Sequence, residues 1–309
     1  MSRRGWALFI AMGLIWGIPY LLIKIAVDEL TPASVVFGRT GIGALLLLPV
    51  AAMRGQIRPI LRKWRPLVAF AIVEICVPWF MLGFAELRLS SSLTGLLVAA
   101  VPVVGAVLAK ATGHEVLGSR RFVGLLIGLA GVAALVGFDV GSANTSAVLA
   151  VAVVVVCYAV GPIIVAGYLS ELPGPGVVAC SLLLAALLYT PVGLAQWPPS
   201  LRTGSWVAVI GLAVVCTAIA FVVFVELITE VGPARAMVIT YVNPAVALAA
   251  GVIVLSEAMS IATGVGFILI LAGSFLATSR DRQPPDLEPQ ARDLFGRSQP
   301  VGPQNSERG

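Results

Sequence analysis

PVVGAVLAKATGHEVLGSRRFVGLLIGLAG at residues 102–131 and PAVALAAGVIVLSEAMSIATGVGFILILAG at residues 244–273 are one stretch written twice. Pro102 falls on Pro244, Glu115 on Glu257, Gly124 on Gly266 and Gly131 on Gly273, every pair 142 positions apart. The offset carries outward along the chain. Trp64 meets Trp206, Glu29-Leu30 meets Glu171-Leu172, and Pro49-Val50 meets Pro191-Val192. A chain that lies down on itself at one offset is built from two copies of a single unit, and that repeat governs the reading of the fold.

The composition says what solvent the units face. Of the 309 residues 59% are hydrophobic and only 11% charged, with a mean hydropathy of +1.01, whereas a soluble domain is about a quarter charged. Apolar runs long enough to cross about 30 Å of hydrocarbon at about 1.5 Å per residue recur ten times. In the first unit they run from Trp6 to Val27, Ala33 to Met53, Pro66 to Leu87, Leu93 to Lys110 and Arg121 to Phe138. In the second they run from Ala147 to Tyr168, Val177 to Gln196, Trp206 to Ile228, Ala234 to Leu255 and Thr263 to Ser279. They must be helices: lipid leaves no partner for an open strand, and a closed barrel would show shorter alternating segments. The expected fold is therefore an all-α polytopic membrane protein of ten transmembrane helices in two five-helix repeats, residues 5–138 and 147–279. Five is odd, so the repeats are inverted, an arrangement common among secondary transporters.

Basic residues orient the bundle. With the N-terminus inside, cytoplasmic segments hold Arg3, Arg4, Arg54, Arg58, Arg62, Lys63, Arg65, Lys110, Arg120, Arg121, Arg235, Arg280 and Arg282, while the other face holds little beyond Arg88 and Arg202. The positive-inside rule then puts both termini in the cytoplasm of a multi-pass cell-membrane protein. The net charge of +5 is a topology signal; no basic stripe interleaved with aromatics points to nucleic acid. Arg3 and Arg4 before an apolar run resemble a signal peptide, but the run is too long and belongs to the repeat. Residues 280–309 are polar and rich in Pro, Gln, Asp and Arg, and are expected to form a disordered cytoplasmic tail.

Several chemistries lack their residues. Cys76, Cys157, Cys180 and Cys216 lie within spans without paired spacing, and His114 is the single histidine, so disulfide, zinc-site and Ser-His-Asp readings find no support. No HExxH, serine-base motif or P-loop occurs. No catalytic residue, metal site or cofactor is expected, and an intramembrane enzyme is the weaker class. A scaffold that transports nothing is the other competitor; it would not need a carboxylate at membrane depth.

Gly232-Pro233-Ala234-Arg235 through Tyr241-Val242-Asn243-Pro244, then Leu255-Ser256-Glu257 and Gly266 to Gly273, resemble the second EamA repeat of the drug/metabolite transporter superfamily. Ile15-Trp16-Gly17 with Lys24, Arg39 and the Pro102, Glu115, Gly124 and Gly131 series resemble the first. The resemblance covers about residues 5 to 280 and is weak for substrate. It implies a ten-helix inverted-repeat carrier that alternates access, with a central cavity lined by helices one to four and six to nine and with helices five and ten peripheral.

Charges inside the bilayer are the sharper clue to a site, because each costs at least about 2.5–3.5 kcal/mol at a helix centre unless paired or hydrated. Lys24, Arg39 and Glu74 qualify. Glu74 reads equally as a carboxylate that exchanges protons and as half of a structural ion pair with Arg39, about two helical turns away in depth. Arg39 can hold the carboxylate of an amino acid or snorkel to the outer interface, and for Lys24 snorkelling is favoured. Glu86 with Arg88, and Glu226 with Glu230, are expected to be interfacial and solvated.

Aromatics at helical spacing complete the candidates: Trp16, Tyr20, Trp79, Tyr158 and Tyr241, with Trp16 and Tyr158 equivalent across the repeat. They could stack on an apolar or cationic solute, although ordinary packing is the commoner role for any one of them. Asn243 sets an amide beside the kink expected at Pro244, where a solute could bond; a packing kink without a ligand is the simpler reading. Glu115 and Glu257, just before the fifth and tenth spans, are expected to complement those helix starts. Gly13/Gly17 and Gly124/Gly128 are expected to serve close helix approach. The leading expectation is a carrier that exports small metabolites such as amino acids, with protons as the candidate coupling ion, working in the lipid bilayer as a monomer or homodimer. Efflux of amphiphilic or cationic drugs is the alternative.

Overall fold

The computed structural model describes residues 1–111, 119–135, 144–232, 236 and 238–278, all within the unit Met1–Ser279. His114, Glu115, Arg235 and the expected tail from Arg280 lie outside the described residues. Among those described, the regular structure is helical throughout. Seven helices are long and apolar enough to cross a membrane: α1 (Arg3–Ala26), α2 (Pro32–Met53), α3 (Trp64–Glu86), α4 (Ser91–Leu108), α6 (Thr145–Leu169), α7 (Gly174–Ala195) and α8 (Thr203–Val231). Three shorter apolar helices, α5 (Ser119–Leu135), α9 (Ile239–Leu255) and α10 (Ile261–Thr278), stand at the remaining expected spans. Unpartnered apolar side chains such as Leu45, Met53, Leu187, Ile253 and Ile268 cover the outside, a surface that suits hydrocarbon and not water.

Local chemistry sets the helix ends and breaks. Thr31 caps α2 by accepting from the Ser34 N–H, with Pro32 at the first helical position, and Ser90 caps α4 by accepting from Leu93; each supplies a partner for an orphan N–H. α1 is interrupted at Ile18 because Pro19 cannot donate into its ladder. α3 and α8 carry π-helical turns at Ala71–Cys76 and Val214–Ile219, nearly the same place in the two repeats. In α3 the Val77 N–H bonds back to the Ile72 carbonyl, just before Pro78, which has no N–H to give to the ladder. In α8 the Thr217 hydroxyl enters the ladder and donates to the Leu212 carbonyl (2.8 Å).

The packing has a regular plan. α5 lies along α10, α2 along α7 and α4 along α9, while α3 packs on α6 as α8 does on α1, α1 on α9 as α6 on α4, and α8 on α2 as α3 on α7. Exchanging the first five helices with the last five leaves this set of contacts unchanged. Glycines stand where helices approach closely. A Cβ at Gly13 would stand 2.9 Å from Val242, and at Gly131 2.8 Å from the Ile270 nitrogen.

Carboxylates tie each half to the other at helix starts. Glu29 accepts from the Arg202 N–H (2.9 Å), Arg202 Nε (2.8 Å) and Ser205 Oγ (2.5 Å) where α8 begins, and its repeat mate Glu171 meets Lys63 Nζ (3.0 Å) where α3 begins. Glu257 does not serve its own helix α10, whose start is capped by Ser260. It reaches instead to the start of α4 and accepts from the N–H and hydroxyl of both Ser91 and Ser92. Burial opposes its charge, yet those four bonds hold the Glu257 carboxyl below its ordinary range. Glu226 and Glu230 meet Arg4 at 2.6 and 3.9 Å, an exposed cluster of the kind worth about 0–1 kcal/mol per pair.

The Glu29 tie makes stability depend on acid. The Ser205 and Arg202 bonds lower its pKa from 4.5 to about 2, so its contribution is complete above the unfolded value and is lost as the pH falls through the folded one. Thermal melts of wild type and Glu29→Gln are expected to converge as the pH drops from about 4.5 to about 2; a constant gap over that window would contradict the tie.

Candidate functional site

The π turn of α3 turns Glu74 toward α6. One carboxylate oxygen, Oε2, is buried with no hydrogen-bond partner. α6 passes against it through Gly161, where any Cβ would fall on the carboxylate. An unpaired oxygen at membrane depth is not a stable resting place for a fixed charge.

Arg39, only 6% exposed, lies on the α2 face toward α3 and α8. Its guanidinium carbon stands 3.5 Å above the Trp79 ring centroid, and Nε donates to Thr217 Oγ1 (3.0 Å), the hydroxyl that donates onward to Leu212. A desolvated cation on an indole face gains about 2 kcal/mol. Of the two readings open from sequence, the Arg39–Glu74 ion pair does not form: Trp79 and Thr217 hold the guanidinium away, and no cation among the described residues reaches the carboxylate. Nor does Arg39 snorkel. The Nε bond is its one hydrogen bond among the described residues, and the two Nη groups have no acceptor there.

Tyr20 of α1 and Tyr158 of α6 stand close enough to Arg39 to feel its charge, Tyr158 also lies near Glu74 and Trp79, and the Tyr20 ring covers Gly95 of α4. The centre thus gathers Tyr20, Arg39, Glu74, Trp79 and Tyr158 from α1, α2, α3 and α6, with Thr217 added by α8. Thr217 was not singled out by sequence, where a lone threonine in an apolar run carries little signal. Tyr189 of α7 is a further addition, its hydroxyl donating to the Cys76 carbonyl at the end of the π turn (2.9 Å). The charges are one-sided: 142 positions beyond Arg39 and Glu74 stand Ser181 and Cys216.

Other candidates lie elsewhere. Trp16 packs on Phe224 of α8, with ring centroids 4.7 Å apart. The Tyr241 hydroxyl donates to the Ser274 carbonyl (3.1 Å) and its ring meets Phe275, against α10. The Asn243 amide, turned so that its nitrogen faces carbonyls, donates to Ile239 (3.0 Å) and Gly13 (3.3 Å) and so joins α9 to α1. Lys24 donates to the Glu86 and Leu89 carbonyls (2.5 and 3.0 Å) at the end of α3, where a cation complements the helix C-terminus. Glu86, expected to be solvated, is fully buried because α1 and the Glu257 segment close over it.

With this geometry in place the comparisons decide the family. The profile of the EamA-like transporter family matches residues 3–137 and again 145–279. The chain belongs to the EamA-like transporter family. Among similar proteins, the uncharacterized inner membrane transporter YedA of Escherichia coli (strain K12) is 27% identical over 288 residues, covering 87% of this chain and 91% of that protein. The uncharacterized transporter YvbV of Bacillus subtilis (strain 168) is 24% identical over 276 residues, covering 87% and 90%. A crystal structure with 22% sequence identity superposes with a TM-score of 0.65 over 90% of this chain and 98% of the other, a likeness of fold alone. This EamA-like protein is therefore a multi-pass membrane transporter, with its charged centre where its two halves meet.

Proposed function

We propose that this EamA-like transporter is a secondary carrier that exports small carboxylate-bearing metabolites, amino acids among them, across the cytoplasmic membrane by alternating access, with Glu74 as the proton-coupling residue. The observation that carries the reading is a buried Glu74 oxygen without a partner near a buried Arg39 whose Nη groups have no acceptor among the described residues, at the meeting of the two halves. A guanidinium fork matches a solute carboxylate, and a carboxyl that gains and loses a proton within reach of that solute can link the two gradients.

The contacts that recur when the halves are exchanged support two related repeats, and five spans in each, an odd number, would make them inverted. The seven long and three shorter apolar helices accord with that count, and the basic residues of the first half support cytoplasmic termini. The Glu29 and Glu257 ties then lie at the outer end, the Arg4 and Lys63 pairs at the inner end. The drug-efflux reading is weakened by Arg39, whose charge repels a cationic solute and whose guanidinium already occupies the Trp79 face.

The test is solute flux in proteoliposomes with a panel of amino acids and cationic dyes, with and without a pH gradient. Flux of carboxylate-bearing solutes that excludes the dyes supports the proposal. Dye flux alone would replace it with drug efflux, and no flux across the panel would favour a scaffold.

A further inference from the structure

Among the described residues Glu86 is the one carboxyl with both oxygens buried and without a hydrogen-bond partner, and the residue as a whole is 0% exposed. Its neighbours are already occupied. Lys24 of α1 uses its ammonium on the Glu86 and Leu89 carbonyls, Glu257 between α9 and α10 is bound to Ser91 and Ser92, and Arg88 beyond α3 lies 5.0 Å from the Phe84 ring centroid. Tyr20 faces it from the central side, with Arg39 of α2 and Tyr158 of α6 deeper. α4 brings hydroxyls only at this level, Ser91, Ser92 and Thr94. Burial without a hydrogen-bond partner disfavours an ionised carboxylate and favours the protonated form. A cavity of about 210 Å³, lined among others by Arg88, Ser90, Leu89 and Ser92, adjoins the same helix ends.

We propose that Glu86 is a proton-exchange site at the outer end, separate from Glu74, whose state is read by Lys24. In the closed arrangement the carboxyl keeps its proton and the ammonium sits on the last carbonyls of α3. When the outer end opens and water arrives through the adjoining cavity, the proton passes to water and the ammonium leaves the carbonyls for the new carboxylate, so the α1–α3 contact is remade. The functional part of this inference rests on the reading of the chain as a carrier whose ends open in turn.

Infrared spectroscopy of the full chain in phospholipid vesicles at about pH 7 tests it. The expected result is a protonated-carboxyl C=O component that is lost in Glu86→Gln and retained in Glu74→Gln. A Glu86→Gln protein of wild-type thermal stability with an unchanged carboxyl band overturns the proposal. Lys24→Gln leaves both carboxyls in place and gives a second reading. With the waiting cation gone, the Glu86 band is expected to persist to a pH at least about one unit higher, a tenfold change in proton affinity, and an unchanged titration overturns the role of Lys24. Flux that ignores a pH gradient would contradict coupling at Glu74 while the Glu86 band remained, so the two proposals fail separately.

Discussion

Arg39→Met reduces flux of a carboxylate-bearing solute at least about a hundredfold while the protein remains folded. The guanidinium contributes its fixed charge and its two Nη groups, and methionine supplies neither. Losing one side of a buried charge pair costs about 2–5 kcal/mol, which spans that factor. The fold should tolerate the change, because a buried guanidinium that pairs with no carboxylate adds little net stability. Arg39→Lys keeps the charge but loses the planar contact with Trp79 and the Nε bond to Thr217, so about a tenfold loss is expected; the two residues are not interchangeable at a stacked site. Initial rates of labelled amino-acid uptake give both numbers. An Arg39→Met rate near wild type would remove the solute from Arg39.

Gly273→Leu, in α10, lowers the stability of the folded bundle by at least about 3 kcal/mol, at or above the usual range for overpacking. A Cβ at Gly273 would fall onto the Gly128 backbone and stand 2.7 Å from the Gly124 carbonyl oxygen. Backbone cannot swing aside as a side chain can, so α5 and α10 must separate. Gly41 is the control: nothing stands within 4 Å of its Cβ position in α2, and Gly41→Ala should stabilise by a few tenths to about 1 kcal/mol through backbone entropy alone. Thermal unfolding in detergent compares them. Equal melting temperatures for the two variants would contradict the close α5–α10 approach.

What sequence reveals here follows from what lipid demands. Backbone groups need internal partners in hydrocarbon, so the apolar runs had to be helices, and the repeat was visible because matching prolines, glutamates and glycines keep one offset. Arg39 and Glu74 stood out because charge is rare at that depth. Their relationship did not stand out. It depends on the rotation that the π turns impose on α3 and α8, and Thr217 and Trp79 take the guanidinium that spacing alone would have given to Glu74.

Residues at helix ends were the hardest to read. Glu86 stands where a span meets water, and only the closure of α1 and the Glu257 segment over it decides that it is buried. Glu257 has the right type for a helix start, but the start it serves is that of α4, more than 160 residues earlier in the chain. Such long-range contacts leave no trace in local spacing. Lys24 shows the same effect: its place near a span end suggested snorkelling, while the free carbonyls of α3 offered a nearer partner.

The central claim is that Glu74 couples solute movement to protons. Its most direct test is uptake of the transported amino acid into proteoliposomes with and without an imposed pH gradient, for wild type and Glu74→Gln. The gradient is expected to speed wild-type flux, and the glutamine variant, folded and of equal volume, is expected to lose that response altogether. A Glu74→Gln protein that responds to the gradient as wild type does would contradict the claim and leave Glu74 a packing residue beside Gly161.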